Sequence, residues 1–333
     1  MASDADLDGI SKQIHKIEVS SNYEKIDLPD GKKGLIPKDS DSRQPLYFIE
    51  DLDGQDDELL NEVHAFFSTF FKPEDMDSVE NIRDFLNREN YPGWPSKIFI
   101  NAAKDHEGKI VGALMAHYAS NLDESGQRLG SGSVLIGYVL SRRMGLAGQL
   151  HASIFRQADT YAAKMNESVK IIAGETLPAA EKFFNNVGIN RVYYQKNGAF
   201  IQVPYTHPPL EWSQECGEAL SGTSPEHFMM GLVKGHEEIG REELLQAALS
   251  TFRIFNMPPL QYFKNEAAYQ KMMKTVMLYF QKLKNNLAEI PVLHLISQKK
   301  RSEMKENGVI FREFDEADKW YNFTEKPAIK VAG

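Results

Sequence analysis

The spacing of hydrophobic residues changes several times along the chain, and each change indicates a different element of structure. Apolar residues run together at 46–49, as in a short strand, and then recur at helical spacing over 59–71 and 76–86. Three stretches of strand type follow, separated by a tight turn and a polar, glycine-containing loop, so we expect an antiparallel meander. Its strands are predicted at 97–103, 109–120 and 133–140.

After the meander the hydrophobic period lengthens from two residues to about 3.6, which predicts a helix that leaves the third meander strand directly. Its apolar stripe runs from Leu146 to Met165. A buried strand at 169–173, a helix at 178–187 and two further strands complete the pattern. The last two strands are predicted at 191–195 and 199–203. The expected order from residue 46 is therefore β, α, α, β, β, β, α, β, α, β, β.

The two ends of the chain differ from this central part. Residues 1–45 alternate acidic and basic residues with few apolar ones, which indicates an arm or surface extension. Beyond residue 208 the pattern becomes mainly helical, including the stretch 228–233, with strands expected near 292–296 and 309–311. We predict an N-terminal arm at 1–45, an α/β domain at 46–207 and a mainly helical domain at 212–333.

Composition is typical of a globular protein. Of the 333 residues, 42% are hydrophobic and 26% are charged, and the net charge of −9 disfavours a diffuse attraction to nucleic acid or anionic membrane. The one cysteine, Cys216, cannot form an intrachain disulfide, and the amino terminus lacks a secretory signal pattern. No apolar stretch approaches the roughly 20 residues of a membrane-spanning helix. We expect a cytoplasmic protein whose partners are small molecules or proteins.

The strongest chemical signal lies where the third meander strand meets the following helix. Arg142 and Arg143 precede a segment rich in small residues, with Gly145, Ala147 and Gly148. Free backbone N–H groups and the positive end of the helix dipole meet at such a turn, so a phosphate group could bind there beside an arginine. On this short pattern alone, a plain tight turn whose small residues serve helix packing is the favoured interpretation.

The spacing Arg142-x-x-Gly145-x-Ala147, together with the element order over 46–207, resembles the coenzyme A pyrophosphate loop and fold of the general N-acetyltransferase (GNAT) superfamily. The resemblance implies a mixed, mostly antiparallel sheet flanked by helices. It also implies acetyl-CoA, or another acyl-CoA, as co-substrate, and no metal. The implied acyl-CoA contacts run through the whole junction: Val139, Leu140, Arg142, Arg143, Met144, Gly145, Leu146, Ala147 and Gly148.

A second stretch, Ala180-x-x-Phe183-Phe184-x-x-x-Gly188, is similar to a helix of the same family, but with two departures. Phe184 stands where many members carry the tyrosine thought to protonate the leaving thiolate, and Leu177 stands where they often carry asparagine. Either another group supplies that proton, or its transfer does not depend on one residue. An alternative is a non-catalytic acyl-CoA-binding or protein-interaction module with a degenerate GNAT fold.

An acetyl acceptor amine must lose a proton before it attacks, because an amine of pKa about 10 is mostly protonated at pH 7. Glu175, at the predicted end of the fifth strand, is the first candidate for the base; a carboxylate stabilised by the dipole of the next helix is the equal alternative. His117 and Tyr138, on adjacent predicted strands, could face the same cleft or be ordinary, partly buried polar side chains.

Together these features predict an α/β acyltransferase that transfers an acyl group from acyl-CoA to a primary amine by direct attack in a ternary complex. The acceptor is a small molecule or a peptide. The histidines and Cys216 show no metal-binding spacing, so no metal is expected. The sequence is compatible with a homodimer but does not determine the oligomeric state. The helical domain could cover the acceptor cleft, form a dimer contact or bind a protein partner.

Overall fold

The computed structural model of the chain describes residues 23–28, 32–38, 45–52, 56–71, 76–88, 96–123, 125–176, 181–203, 205–220, 227–232, 238–290 and 292–312. Across these residues, one mixed and mostly antiparallel sheet of thirteen strands carries seven α-helices, which confirms the predicted fold class. The strands are β1 (Tyr23–Asp27), β2 (Lys33–Pro37), β3 (Leu46–Ile49), β4 (Ser96–Lys104), β5 (Ile110–Leu122), β6 (Arg128–Ser141), β7 (Ser168–Thr176), β8 (Asn190–Lys196), β9 (Ala199–Gln202), β10 (His227–Leu232), β11 (Glu238–Gly240), β12 (Val292–Ile296) and β13 (Ile310–Arg312). The helices are α1 (Asp57–Phe67), α2 (Val79–Arg88), α3 (Leu146–Lys164), α4 (Glu181–Asn186), α5 (Arg241–Thr251), α6 (Glu266–Asn286) and α7 (Gln298–Glu306).

Helix starts in this chain mostly follow from a side chain that accepts a free backbone N–H. Asp56 accepts the Leu59 N–H at the start of α1, over 2.9 Å. Asn265 and Ser297 do the same at the starts of α6 and α7. Helix α3 begins differently, at Gly145, which offers no side chain to its first turn. Of the N–H groups in that turn, the one of Leu146 donates to the Arg143 carbonyl oxygen over 3.3 Å, and Gly145 supplies no side-chain acceptor for those that follow.

The order of strands in the sheet changes character near its middle. From β1 to β7 the strands lie side by side in chain order, but β10 comes next, followed by β8, β12 and β11. Strand β9 pairs with β8 and with β13. Strands β6 and β7 run parallel, as do β9 and β13, and the other strand pairs are antiparallel.

The two faces of the sheet bury different layers of helices. Leu114 and Ala116 of β5 belong to a buried cluster with helix α3, on what we call the back face. Met115 of the same strand packs with helices α1 and α2, and Ala119 packs with helix α5, on what we call the front face. Because successive strand residues point to opposite sides, α1, α2 and α5 share one face of the sheet.

The prediction of a helix across 228–233 is wrong. Its described part belongs to β10, which pairs with residues 171–176 of β7 and with Asn190 and Arg191 of β8. A short apolar run does not distinguish a buried strand from a buried helix by periodicity, and here Met229 and Met230 are fully buried between two strands. Tertiary pairing therefore decides the conformation of this segment.

Strands from both ends of the chain join the sheet. Within the predicted N-terminal arm, β1 and β2 form an antiparallel pair that extends the sheet from β3. From the C-terminal part, β10 and β12 both pair with β8. Whether 46–207 and 212–333 fold as separate domains stays a prediction, which a truncation described below tests. No helix within the described part of the chain combines the length and apolar character needed to cross a membrane.

Candidate functional site

The parallel strands β6 and β7 stop pairing before either strand ends. Their register runs from Ser131 opposite Ser168 to Ile136 opposite Gly174, whereas β6 continues to Ser141 and β7 to Thr176. Past Ile136, β6 has no register partner in β7. Backbone N–H and C=O groups are obligatory hydrogen-bonding groups, so the parted strand ends offer polar backbone to a ligand.

A bulge in β6 coincides with the point where the strands part. In the pairing of β5 with β6, Met115 lies opposite Tyr138 but Ala116 lies opposite Ile136, so Gly137 is an extra residue. A Cβ atom at Gly137 would lie 3.1 Å from the Met115 methyl carbon, which is a tight contact. Bulges bend a strand and re-aim the side chains that follow. Here the bulge places Tyr138 on the front face, among residues that pack with α1 and α2.

The turn between β6 and α3 is held by short backbone and side-chain contacts. The Ser141 hydroxyl donates to the Arg143 carbonyl oxygen over 2.8 Å and accepts from the Arg143 N–H over 3.1 Å. The Arg142 N–H donates to the Val111 carbonyl oxygen over 2.8 Å. Gly145 has φ of +78°, a left-handed conformation that glycine adopts without strain. The turn is thus ordered by its own residues and keeps the start of α3 clear of side chains.

Space around this helix start fits an approaching anion. A Cβ atom added at Gly148 would meet no heavy atom within 4 Å, so the backbone there is open. Arg142 and Arg143 are exposed, and Met144 is 87% exposed. The helix dipole adds partial positive charge, which makes this the combination of groups that binds phosphate in proteins.

The two arginines of the turn extend toward different neighbours. The Arg142 guanidinium donates from Nη2 to the Thr69 hydroxyl over 3.2 Å and lies 5.3 Å from the centre of the Phe66 ring, both at the end of α1. Arg143 acts on Tyr23 of β1: burial raises the pKa of Tyr23, and the positive charge of Arg143 partly opposes that rise. The Arg142 side chain therefore contacts the end of α1, and the charge of Arg143 acts on β1.

The remaining predicted acyl-CoA contacts divide between exposed backbone and buried side chains. Leu146 is fully buried, and its side chain fills the space over Gly112, where a Cβ atom would lie 2.6 Å away. Val139 packs against the back-face cluster, and Leu140 packs against the front-face residues around α1 and α2. Ala147 is partly exposed beside Gly148. The buried Leu146 side chain is thus not available to a ligand at this turn, and the Leu146 N–H donates to the Arg143 carbonyl oxygen over 3.3 Å.

Glu175, Tyr138 and His117 lie on the front face, but in different surroundings. Glu175 is half-buried near the end of β7, and its Oε1 accepts a hydrogen bond from the Tyr205 hydroxyl. The Tyr138 hydroxyl donates to Oδ2 of Asp77 over 2.9 Å and accepts from the Asp77 N–H over 2.9 Å. Asp77, just before α2, is therefore a polar neighbour of the candidate site.

His117 occupies an aromatic layer. Its side chain is 3% exposed, and its ring packs edge-on against Phe85 of α2 and Phe255, with ring centres 5.2 and 5.0 Å apart. Phe255 belongs to a π-helical turn, Phe252–Asn256, that continues α5. This setting favours the alternative that the sequence left open, a buried polar side chain, and a role of His117 as base stays a prediction.

Phe184, which replaces the tyrosine of the family resemblance, is a core residue. It is 3% exposed and lies so close to Gly174 that a Cβ there would be 2.8 Å from its ring. It packs with the back-face cluster. No hydroxyl is available at this position. The other departure, Leu177, lies outside the described residues.

Three groups at the site were not predicted from the sequence: Asp77, Tyr205 and the π-helical turn. Tyr205 follows β9 and Asp77 precedes α2, in segments where hydrophobic periodicity indicates nothing about the site. The only local signal for Tyr205 is an aromatic residue directly after a strand. π-Helical turns are rare and often occur at functional sites, but their sequence signature is weak. Within the described ranges, no three His, Cys, Asp or Glu residues are grouped so that they could hold a metal ion.

Comparison with known proteins places GNAT proteins among the similar solved structures. No family model matches the chain, and no curated protein matches it. A tandem GNAT protein of the clavulanic acid biosynthesis pathway matches 49% of this chain and 46% of its own, at 15% identity and a TM-score of 0.32. The GNAT-family N-acetyltransferase YhbS of Escherichia coli, in complex with CoA, matches 58% of this chain and 84% of its own, at 14% identity and a TM-score of 0.33. A GNAT-family acetyltransferase of Staphylococcus aureus Mu50 matches 56% of this chain and 99% of its own, at 13% identity and a TM-score of 0.32.

At identities of 13 to 15% these matches define no reaction for this chain.

Proposed function

We propose that this chain is an acyl-CoA-dependent acyltransferase of the GNAT type, which acylates a primary amine. One observation carries the proposal: strand pairing between β6 and β7 ends at the Gly137 bulge, directly ahead of a helix that begins at Gly145 without a side-chain cap. This combination offers parted strands and an anion-binding helix start in the same stretch of chain.

The groups that would hold the acyl-CoA follow from this geometry. Backbone N–H groups at the start of α3, with Arg142 and Arg143, suit the negative charge of a pyrophosphate. The edge of β6 beyond Gly137 that has no register partner in β7 suits an arm that carries amides, which would pair as an added strand. The acyl-CoA supplies the acyl group as a thioester.

Glu175 is the proposed base, because it is the front-face carboxylate at the end of β7, one residue past the last β6 pairing. It takes the proton that the amine nitrogen loses as the new amide bond forms. Backbone N–H groups next to the bulge stabilise negative charge on the acyl oxygen. Phe184 has no proton to give, so the leaving sulfur takes its proton from another group or from solvent. The acceptor is a small-molecule or peptide amine, and a cytoplasmic location and a homodimer stay predictions.

A non-catalytic acyl-CoA-binding module is the second candidate function. The buried ring of Phe184, in place of a tyrosine, favours it. The two functions differ in turnover: both predict binding of acyl-CoA, and only the first predicts release of free CoA thiol in the presence of an amine.

The test begins with calorimetry and thermal unfolding in the presence of acetyl-CoA, longer acyl-CoAs and free CoA. A ligand at 100 times its dissociation constant should stabilise the fold by about 2.7 kcal/mol. Thiol release is then followed with a panel of primary amines. Binding without turnover on any amine would favour the second function, and no binding of any of the three would exclude both.

Gly145→Asp tests the phosphate-binding turn. We expect CoA binding to be lost, because a carboxylate would occupy the place of the pyrophosphate, while a negative charge at a helix start does not destabilise the helix. Gly108→Asp is the matched control, because Gly108 has φ of +79° in an exposed turn with open space around it. Both variants carry the same backbone strain and charge. Equal CoA affinity in the two variants would contradict the assignment.

The two arginines are compared in the same assay. We expect Arg142→Ala to lose more CoA affinity than Arg143→Ala, since Arg142 occupies the motif position in the family resemblance. A larger loss of CoA affinity in Arg143→Ala would instead assign the phosphate site to the side of the turn that faces β1.

A further inference from the structure

Side chains from two distant parts of the chain cover the front of the bulge at Gly137. A Cβ atom at Gly137 would lie 3.1 Å from the methyl carbon of Met115, on β5, and 3.8 Å from a ring carbon of Phe255, in the π-helical turn. Met115 is fully buried and Phe255 is partly buried. These two side chains bound the space in front of the bulge, and we call them the bulge wall.

The ring of Phe255 packs into an aromatic layer that reaches across the front face. Its centre lies 5.0 Å from the centre of the His117 ring, which is 3% exposed and lies 5.2 Å from the ring of Phe85 on α2. A side chain that is packed in this way cannot turn aside without disturbing its neighbours. The layer therefore holds the Phe255 ring over the bulge.

The π-helical turn that carries Phe255 is fixed on both sides of this residue. Before it, the Arg253 guanidinium donates from Nη2 to the Asp123 carbonyl oxygen over 3.1 Å, just past the end of β5. After it, the Asn256 carbonyl oxygen accepts from the Trp212 indole N–H over 2.8 Å. The backbone that presents Phe255 is thus tied to the sheet and to the C-terminal part of the chain.

The bulge is also where the proposed function has the acyl group react. Backbone N–H groups next to the bulge are the proposed donors to the acyl oxygen, and the proposed base, Glu175, lies on the front face. The acyl carbon must therefore be open to the face that Met115 and Phe255 cover. A longer acyl chain would have to displace packed side chains, and forcing extra methylene groups into a packed space is unfavourable.

We propose that the bulge wall restricts the acyl group to a short chain, so that acetyl-CoA binds in preference to longer acyl-CoAs, with Phe255 as the main specificity-determining residue. The proposal rests on the proposed acyl-CoA site. It concerns binding, so it applies to an acyltransferase and to a non-catalytic module alike. It also gives the C-terminal part of the chain a role at this site, because the π-helical turn supplies Phe255.

The test measures the affinity of the full chain for free CoA, acetyl-CoA and hexanoyl-CoA by calorimetry. Wild-type protein should bind hexanoyl-CoA about tenfold more weakly than acetyl-CoA, because the longer chain must displace the wall. In Phe255→Ala the vacated space can take the chain, and each methylene group that becomes buried improves binding about fourfold. We therefore expect the ratio of hexanoyl-CoA to acetyl-CoA affinity to rise by about tenfold or more. Free CoA, which carries no acyl group, is the reference ligand for each variant.

Phe263→Ala is the matched control for the loss of a ring. Phe263 is a buried residue of the cluster against which Phe255 packs, and its ring contacts Tyr262 and Tyr269. This variant should keep the wild-type affinity ratio. Phe255→Leu and Met115→Ala remove fewer atoms and should raise the ratio by a smaller factor. Thermal unfolding identifies which variants are folded, and the milder pair tests the wall if Phe255→Ala is not.

The outcomes separate the two possible failures. Equal affinity of the wild-type chain for acetyl-CoA and hexanoyl-CoA overturns the restriction on chain length and leaves the proposed function standing. An unchanged ratio in the folded wall variants, or an equal rise in Phe263→Ala, also overturns the role of the wall. A wild-type chain that binds none of the three ligands refutes the proposed acyl-CoA site, and this proposal with it.

Discussion

The two halves of the sheet are assembled by different rules. From β1 to β6, each strand pairs with the strand that precedes it in the chain. Past β7, strand β10 enters between β7 and β8, which are joined by a connection that contains α4. Pairing of neighbours closes short loops, whereas the β10 pairing needs distant segments to meet. Local patterns therefore describe β3 to β7 well, whereas the place of β10 in the sheet follows only from the tertiary structure.

The candidate site lies across both halves. The turn at Gly145 and the bulge at Gly137 belong to the first half, where the backbone of β5 pairs with β6 and the end of α1 contacts Arg142. Glu175 sits at the border, and its partner Tyr205 is held by the second half. The proposed acyl-CoA turn and the proposed base Glu175 thus depend on different parts of the fold.

Deletion of residues 212–333 is the strongest test of this comparison. The deletion removes β10, which lies between β7 and β8. It also removes helix α5, which covers the side chains of Ile171 and Ala173 on the front face. We expect loss of cooperative unfolding by circular dichroism, because a central strand and its cover are both missing. Deletion of 313–333, which keeps every described element, is the control. A folded 1–211 chain that still binds CoA would establish a separate domain at 46–207 and contradict a shared core.

The pH dependence of folding stability probes the first half of the sheet through His151, which lies on helix α3. Burial lowers the pKa of His151 to about 4 in the folded chain, from the ordinary value of 6.5. Between these values the unfolded chain binds the extra proton, so folding stability should fall as the pH drops from about 6.5 to 4, by about 3 kcal/mol in total.

Urea unfolding at several pH values measures this loss. His151→Gln should flatten the dependence in that window, and His106→Gln, at an exposed turn, should not. A wild-type stability that stays level from pH 7 to pH 4 would show that His151 is not buried as described.

Two glycine substitutions, one for each half of the sheet, should change the free energy of unfolding by smaller amounts. A Cβ atom at Gly231 of β10 would lie 2.5 Å from the Gly188 carbonyl oxygen, so Gly231→Ala must displace backbone and should cost about 1–3 kcal/mol. At Gly148 of α3 the space is open, and Gly148→Ala should stabilise the helix by up to about 1 kcal/mol. Urea midpoints measure both. Equal effects would mean that the junction around β10 is no tighter than the start of α3.

Most elements of the central region were predictable, because their signals are local. The meander, helix α3 and β7 all occur where the hydrophobic period indicates them, and the motif around Gly145 marks the turn correctly as a strand-to-helix junction. Strands β12 and β13 were also predicted, with the charged helix α7 between them. No hydrophobic period reveals the parting of β6 and β7, which appears only in the strand register.

Other features could not be predicted, since they depend on contacts between distant segments. Residues 228–233 have the composition of either a helix or a buried strand, and the open edges of β7 and β8 decide between them. Strands β1 and β2 lie in a charged segment whose pattern suggested only an arm. The pairing of Tyr205 with Glu175 spans 30 residues, and nothing in the spacing of either residue indicates it.

By itself, then, the sequence determined the periodic elements, the glycine turn at the start of α3 and the candidate chemistry of that turn, because these follow from residues within one element or one loop. Only the tertiary structure decided which strand lies between β7 and β8, which face Glu175, Tyr138 and His117 share, and which group holds the Glu175 carboxylate. These depend on register and burial, which side chains acquire only when distant strands pair and a shared core excludes water.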